Sequence, residues 1–244
     1  MSPSGTDPSP SAETTGAAAP APASYDLIAQ QLIPGYASLA RLAVSLLAAS
    51  PLATSEGAHV LVGGCGTGAE LLEARTQRPD WKLTAVDPSA AMLAASRQRL
   101  ESAGDGGSGA IEWQQSTVEE LALEARFDGA LSVLVLQSLE DDGSKLAFLS
   151  SLARSMKPGA QLVLIDLMQP ERSPLQGQVE QAWQLFQRAS GLQGAAEALA
   201  ALSPRLHPIG LSRLSALVEA AGFSDPAPVF QALDFQGFLL QRLA

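Results

Sequence analysis

His59-Val60-Leu61-Val62 is a short apolar run that stops in Gly63-Gly64-Cys65-Gly66-Thr67-Gly68. Apolar residues halted by glycines read as a buried strand feeding a tight turn. Ala69 to Arg75 then supplies good helix formers, with Leu71 and Leu72 facing inward. Strand, glycine turn and helix open a βαβ unit, which points to a parallel sheet. Glycines in alternation let backbone approach a ligand where a Cβ would collide, and the helix start behind them carries a positive dipole end. The turn therefore asks for a nucleotide-like ligand, and Gly64 to Ala69 also fits the loose dinucleotide pattern G-x-G-x-x-A. A turn that merely packs helix against sheet is the plainer alternative.

The alternation continues along the chain. Lys82 to Val86 reads as a second strand ending at Asp87-Pro88, and Ser89 caps a helix with Met92, Leu93, Ser96 and Leu100 on one face. Asp87 can accept hydrogen bonds from two vicinal ribose hydroxyls, and it lies where a nucleotide cofactor would need that acid. Gly104 to Gly109 reads as a mobile loop, Ala110 to Gln114 as a third strand, and Glu119 to Ala125 as a turn or short helix. Ala130 to Val135 is the most apolar strand and suits a position covered on both faces. Asp141 to Met156 is an amphipathic helix stopped by Lys157-Pro158-Gly159, and Gln161 to Asp166 is the next strand.

The last third changes character. Leu175, Val179, Trp183, Phe186 and Leu192 share a helical face, and Leu211 to Ala221 forms a further helix with Ser212 as N-cap and Gly222 as its left-handed stop. Pro228 to Gln231 and Phe235 to Leu240 are strands separated by a hairpin. The expected fold is α/β: a doubly wound, mostly parallel seven-stranded sheet with an antiparallel last strand and a helical lid over residues 170–210. Residues 1–24 are Ser-, Pro- and Ala-rich and read as a disordered tail, leaving 25–244 as one domain.

Composition narrows the partners. Fifteen Lys plus Arg against 25 Asp plus Glu leave a formal charge of −10, which repels phosphate backbones and anionic lipid. One cysteine, Cys65, and two histidines, His59 and His207, exclude a disulfide framework and argue against a metal cluster. No run reaches the roughly 20 apolar residues of a membrane span, and no secretory or organellar leader is evident. The expectation is a cytoplasmic protein without direct nucleic-acid or membrane partners, pairing as a homodimer through its helical additions.

Several of these motifs, in this order, resemble the class I S-adenosylmethionine-dependent methyltransferases. His59 to Gly68 is similar to their first motif, Val86 to Leu93 to the second, Phe127-Asp128-Gly129-Ala130 and Leu152 to Asp166 to the fourth and fifth strand signatures. Ala220-Ala221-Gly222-Phe223 before a hairpin resembles their ending. The resemblance implies S-adenosylmethionine as cofactor, S-adenosylhomocysteine as product and in-line methyl transfer to a small-molecule acceptor. It implies that Gly63, Gly64, Cys65 and Gly66 hold the methionine part through backbone, Asp87 the ribose, and Pro88 and Met92 the flanks of the adenine. Ser116, beside Thr117, stands where many members carry an acid for the adenine amine, and Val62 where the first motif usually has one.

Ile33-Pro34-Gly35-Tyr36 and Val229 to Phe235 further resemble the carboxy-S-adenosylmethionine synthases of tRNA wobble-uridine modification. That likeness implies a cofactor contact from Tyr36. Those enzymes hold an extra carboxylate with an arginine, which falls near Leu199 here, and an asparagine, which falls near Val133; Arg188 or Arg205 is the alternative cation. Tyr25, Tyr36 and His207 are the polar groups placed to reach a substrate, and no catalytic base stands out. A non-catalytic cofactor-binding protein is the alternative from another class.

Overall fold

The computed structural model describes residues 22–104, 111–192 and 205–244. Two helices, α1 (Pro22–Leu32) and α2 (Tyr36–Ala48), precede the sheet and meet at a 93° bend around Pro34-Gly35. The bend follows from Gly35, which turns through φ 82° to start α2. Then come β1 (His59–Gly63), α3 (Ala69–Gln77), β2 (Lys82–Val86), α4 (Ala90–Ser102), β3 (Ile111–Gln114) and β4 (Phe127–Val133). After them lie α5 (Ser144–Ser155), β5 (Met156–Leu167), α6 (Gln176–Ala189), α7 (Leu211–Ala220), β6 (Ala227–Ala232) and β7 (Phe235–Gln241).

The seven strands form one sheet in the order β3-β2-β1-β4-β5-β7-β6. β1 through β5 pair in parallel, and β7 runs antiparallel to both β5 and β6. The strand order reverses between β1 and β4, so the crevice for a ligand opens at the carboxyl ends of those strands. The central strands are apolar on both faces because both faces are covered. On one side Val60, Val62, Leu131, Val163 and Ile165 pack with Leu39, Val44, Leu47 and Leu71. On the other, Leu61, Ala130, Leu162 and Leu164 pack with Phe148, Leu149 and Leu152 of α5 and Leu214 and Val218 of α7. Trp183 ties α6 to α1, donating its indole N–H to the Leu32 carbonyl at 2.7 Å.

Several boundaries differ from the sequence reading, each for a local reason. The described part of α1 includes Pro22 to Ser24, inside the expected tail, where proline's fixed φ and missing N–H are tolerated in a first helical turn. Residues 1–21 of that tail, 105–109 of the glycine-rich loop and 193–204 of the lid lie outside the described residues. α5 starts at Ser144 and not Asp141, since the Asp142 carboxylate accepts from the Ser144 N–H at 3.1 Å and turns the chain there. Lys157-Pro158-Gly159 is no turn but part of β5, where pairing with β4 shifts register between Phe127 and Gly129. β4 stops at Val133, because Leu134 adopts φ 60°. Residues 119–125 hold a turn and no helix, one of the two expected forms. Gly210, not Ser212, caps α7, and Ser212 lies within its first turn; Gly222 does stop it, at φ 89°.

Candidate active site

The site is assembled where β1 and β2 end. The N–H groups of Gly64 and Cys65 both donate to the Val86 carbonyl, at 2.8 and 3.0 Å, which folds the glycine turn onto the tip of β2. Asp87, only 7% exposed, follows directly. One carboxylate oxygen accepts from the Gly66 N–H at 2.9 Å and the other from the Ser89 N–H at 2.8 Å. A single acid thus fastens the glycine turn to the start of α4. An ionised carboxylate offers about four lone-pair sites, so two remain for ligand hydroxyls.

With the N–H groups of residues 64 to 66 engaged inside the turn, the glycines face a ligand through their Cα atoms. Gly66 sits at φ 49°, and a Cβ added there would meet nothing within 4 Å. At Gly64 the opposite holds: its φ is 76°, and a Cβ would fall 2.4 Å from Val135 Cγ2. That contact brings the loop after β4 against the turn. Cys65 is buried, and desolvation pushes its thiol well up, so it is no nucleophile.

Beside Gly64 lies a cavity of about 100 Å³ walled by Val86, Pro88, Val118, Val135 and Phe148, with Ser116 and Thr117 at its polar side. The Ser116 hydroxyl is buried and has no hydrogen-bond partner among the described residues. A buried polar atom left unpaired is costly, so a ligand group that bonds it recovers that cost. Pro88, Ser116 and Thr117, expected at the adenine, and Gly64, expected at the methionine part, line this one cavity. Met92 does not line this cavity; its N–H caps α4 on Ser89 Oγ at 3.3 Å. Val133 is the half-buried last residue of β4, paired to Ile165.

On the other side of the turn stand α1 and α2. Asp26 of α1 accepts from the Tyr36 hydroxyl at 3.1 Å and the Thr67 hydroxyl at 2.8 Å, and pairs with the Arg99 guanidinium of α4. This one carboxylate holds α1 down over the glycine turn. Burial, then the carboxylates of Glu70, Asp166 and Asp87, push the Tyr25 phenol well up. Burial chiefly does the same to Tyr36, with Tyr25 and Glu70 adding to it. Both phenols stay neutral near pH 7.

At the end of β5, Asp166 accepts from the backbone N–H of Gln137 at 2.8 Å and of Leu136 at 3.1 Å. Burial pushes its carboxyl up to about 7. Lys145 of α5, fully buried, bonds the Leu136 carbonyl, and desolvation lowers its ammonium. Together they fix the loop that carries Val135. His207 donates its backbone N–H to Gln137 at 2.7 Å, while its ring Nε2 is buried without a partner among the described residues. His59 sits at the opposite end of β1, hydrogen-bonded to Thr84 Oγ1 at 3.0 Å, and plays a structural part.

The sequence reading singled out neither Asp26, Glu70, Lys145 nor the latching role of Asp166. A hint exists only for Glu70, an acid in the first turn after the glycines. Arg188 and Arg205, the alternative cations for an extra carboxylate, are exposed, and Arg205 lies 3.8 Å from Glu140. Position 199 is outside the described residues.

Comparison with known proteins decides what this crevice belongs to. Residues 61–162 match the model of a methyltransferase domain. Over that stretch, less than half of the chain, the sequence is similar to a methyltransferase domain. Domains of this class depend on S-adenosylmethionine. The chain is 34% identical over 111 residues to a ubiquinone biosynthesis O-methyltransferase of Bradyrhizobium sp. (strain ORS 278), a match covering 46% of this chain and 40% of that one. It is 29% identical over 137 residues to an O-methyltransferase of Pyrenophora dematioidea, covering 56% and 49%. The chain thus spans about half the length, or less, of the curated relatives it matches. Among solved structures, the Burkholderia thailandensis 1,6-didemethyltoxoflavin-N1-methyltransferase, bound to 1,6-didemethyltoxoflavin and S-adenosylhomocysteine, superposes with a TM-score of 0.60 at 19% identity, over 91% of this chain and 85% of that one. Human N-acetylserotonin methyltransferase with S-adenosylmethionine gives 0.59 at 18% identity, over 89% and 55%. These structural likenesses bear on the fold. The residues of this crevice fit the cofactor on their own terms: an open glycine face at Gly66, an acid with lone-pair sites left over at Asp87, and an orphaned hydroxyl at Ser116.

Proposed function

We propose that this chain transfers the methyl group of S-adenosylmethionine to a small-molecule acceptor, with an oxygen nucleophile as in the O-methyltransferases it matches. The observation carrying the reading is Asp87, whose carboxylate accepts from the Gly66 N–H at 2.9 Å and the Ser89 N–H at 2.8 Å and has lone-pair sites left over. In this reading Asp87 takes the ribose hydroxyls, Ser116 the adenine amine, and Pro88 and Val135 the faces of the base. The glycine turn and Val133 border the methionine part.

When bound, the cofactor supplies a methyl already activated by a positively charged sulfur. The protein then needs to align the acceptor, exclude bulk water and let the acceptor's hydroxyl proton pass to a base or to solvent. α1 and α2 are placed for the second task, because the Asp26 contacts close them over the turn. Tyr25 lies among the carboxylates of Glu70, Asp87 and Asp166, and its neutral phenol can hydrogen-bond an acceptor without competing for the methyl group.

Incubation of the purified chain with methyl-labelled S-adenosylmethionine and a panel of phenols, catechols and hydroxylated metabolites tests the proposal. Label should appear in an organic-extractable product for at least one hydroxyl compound. Binding of the cofactor with no transfer to any acceptor class would leave a cofactor-binding protein and defeat the reading.

A further inference from the structure

Glu70 has no structural task that accounts for it. It occupies the second position of α3, is 9% exposed, and no described side chain donates to its carboxylate. Its own backbone N–H and the α3 dipole are the features that favour its charge. A buried carboxylate without a cation costs several kcal/mol. A glutamine or leucine would serve the helix as well.

The surroundings show where a cation would come from. Glu70 lines a cavity of about 170 Å³ between α1, α2 and α3, shared with Asp26, Gln30, Tyr36, Glu73 and Arg99. The charges there are matched except for one. Asp26 pairs with Arg99, and Glu73 lies 3.4 Å from Arg41. Glu70 is left over. Helical side chains point back toward the N-terminus, so this carboxylate leans toward the glycine turn, where it raises the Cys65 thiol and the Tyr25 phenol.

The cavity at Ser116 touches the turn at Gly64, and the one at Glu70 begins directly after the turn, at Ala69. With adenine assigned to Ser116 and ribose to Asp87, the buried acid at the start of α3 is left for the remaining end of an adenosyl amino acid. We infer that Glu70 is the residue that binds the α-ammonium of the cofactor's amino-acid end, a charge-assisted contact made from the first turn of α3. The inference rests on the methyltransferase reading above and adds a cofactor contact to it.

Calorimetry on the full chain with two probes separates the possibilities. S-adenosylhomocysteine carries the ammonium; 5′-methylthioadenosine keeps the adenosine and lacks the amino acid. Glu70→Gln keeps the volume and removes a desolvated charge, and its melting curve reports whether it folds. It should weaken S-adenosylhomocysteine by roughly 10- to 100-fold and leave 5′-methylthioadenosine within about twofold. Equal losses for both probes, or no loss for either, overturn the inference while the methyltransferase reading stands. A wild-type chain that binds neither probe overturns both.

The wild type supplies a second measurement. Burial holds the Glu70 carboxyl up at about 7, and an ammonium beside it favours the ionised form. Affinity for S-adenosylhomocysteine should therefore rise with pH from 6 through 7 and level off above, with 5′-methylthioadenosine flat. Of the groups facing Glu70, Tyr25, Tyr36 and Cys65 are all driven upward, out of that range; Asp26, Glu73, Asp87 and Arg99 complete the set. Asp166 is also raised to about 7 but is fastened to Leu136 and Gln137. A rise that is the same for both probes, or that survives in Glu70→Gln, contradicts the assignment.

Discussion

Gly64 joins two parts of the site through the absence of a side chain. Its φ of 76° and the 2.4 Å approach of Val135 Cγ2 to a would-be Cβ are separate obstacles to any other residue. Gly64→Ala should lower stability by about 1–2 kcal/mol for the left-handed backbone alone, with the Val135 clash added. In a chain of this size each kcal/mol lowers the melting temperature by about 2–4 °C. Adding Val135→Ala should return the clash component and not the backbone component. No recovery in the double variant, or an unchanged melt in the single one, would show that the turn does not bind these two residues together, and full recovery would show that the left-handed backbone costs nothing here. The glycine turn itself was legible in the sequence, since spacing alone puts such a motif between a strand and a helix. Val135 as its partner was not, because nothing local records that residues 71 positions apart will touch.

Among the elements, α1 carries the clearest consequence. Asp26 gathers the Tyr36 hydroxyl, the Thr67 hydroxyl and the Arg99 guanidinium from three other parts of the chain. Asp26→Asn keeps the shape and gives up the charge, so α1 should open more often. Amide exchange in residues 24–32 should speed up several-fold, with the central strands unchanged, and bound S-adenosylhomocysteine should dissociate faster. Exchange unchanged along α1 would mean that Trp183 and the apolar contacts hold the helix without Asp26. The sequence from Tyr25 to Ala49 reads as helical, broken or bent around Pro34-Gly35, because helix formers and a breaker are local signals. The extension of β5 through Pro158 was not readable in the same way, because pairing with β4 decides it, and pairing is a tertiary fact.

At the scale of the molecule, strand order and function meet in one place. The reversal between β1 and β4 opens the crevice, and the antiparallel β7, with β6 at the edge beyond it, completes the sheet on its far side. The alternation of elements and the terminal hairpin made this topology legible. The charged residues of the site were half legible: Asp87 follows from its place after β2, whereas Glu70 and Asp166 acquire their meaning from burial that only the folded chain provides. The −10 net charge also fits a site that receives a sulfonium and an ammonium. The most direct test is a titration of S-adenosylhomocysteine into the wild-type chain and Asp87→Ala, each shown by its melt to be folded. A saturable, one-to-one heat for the wild type, weakened by at least about tenfold in the variant, is the expected result. No heat with the wild type, or equal affinity in the two proteins, would contradict a cofactor site built on Asp87.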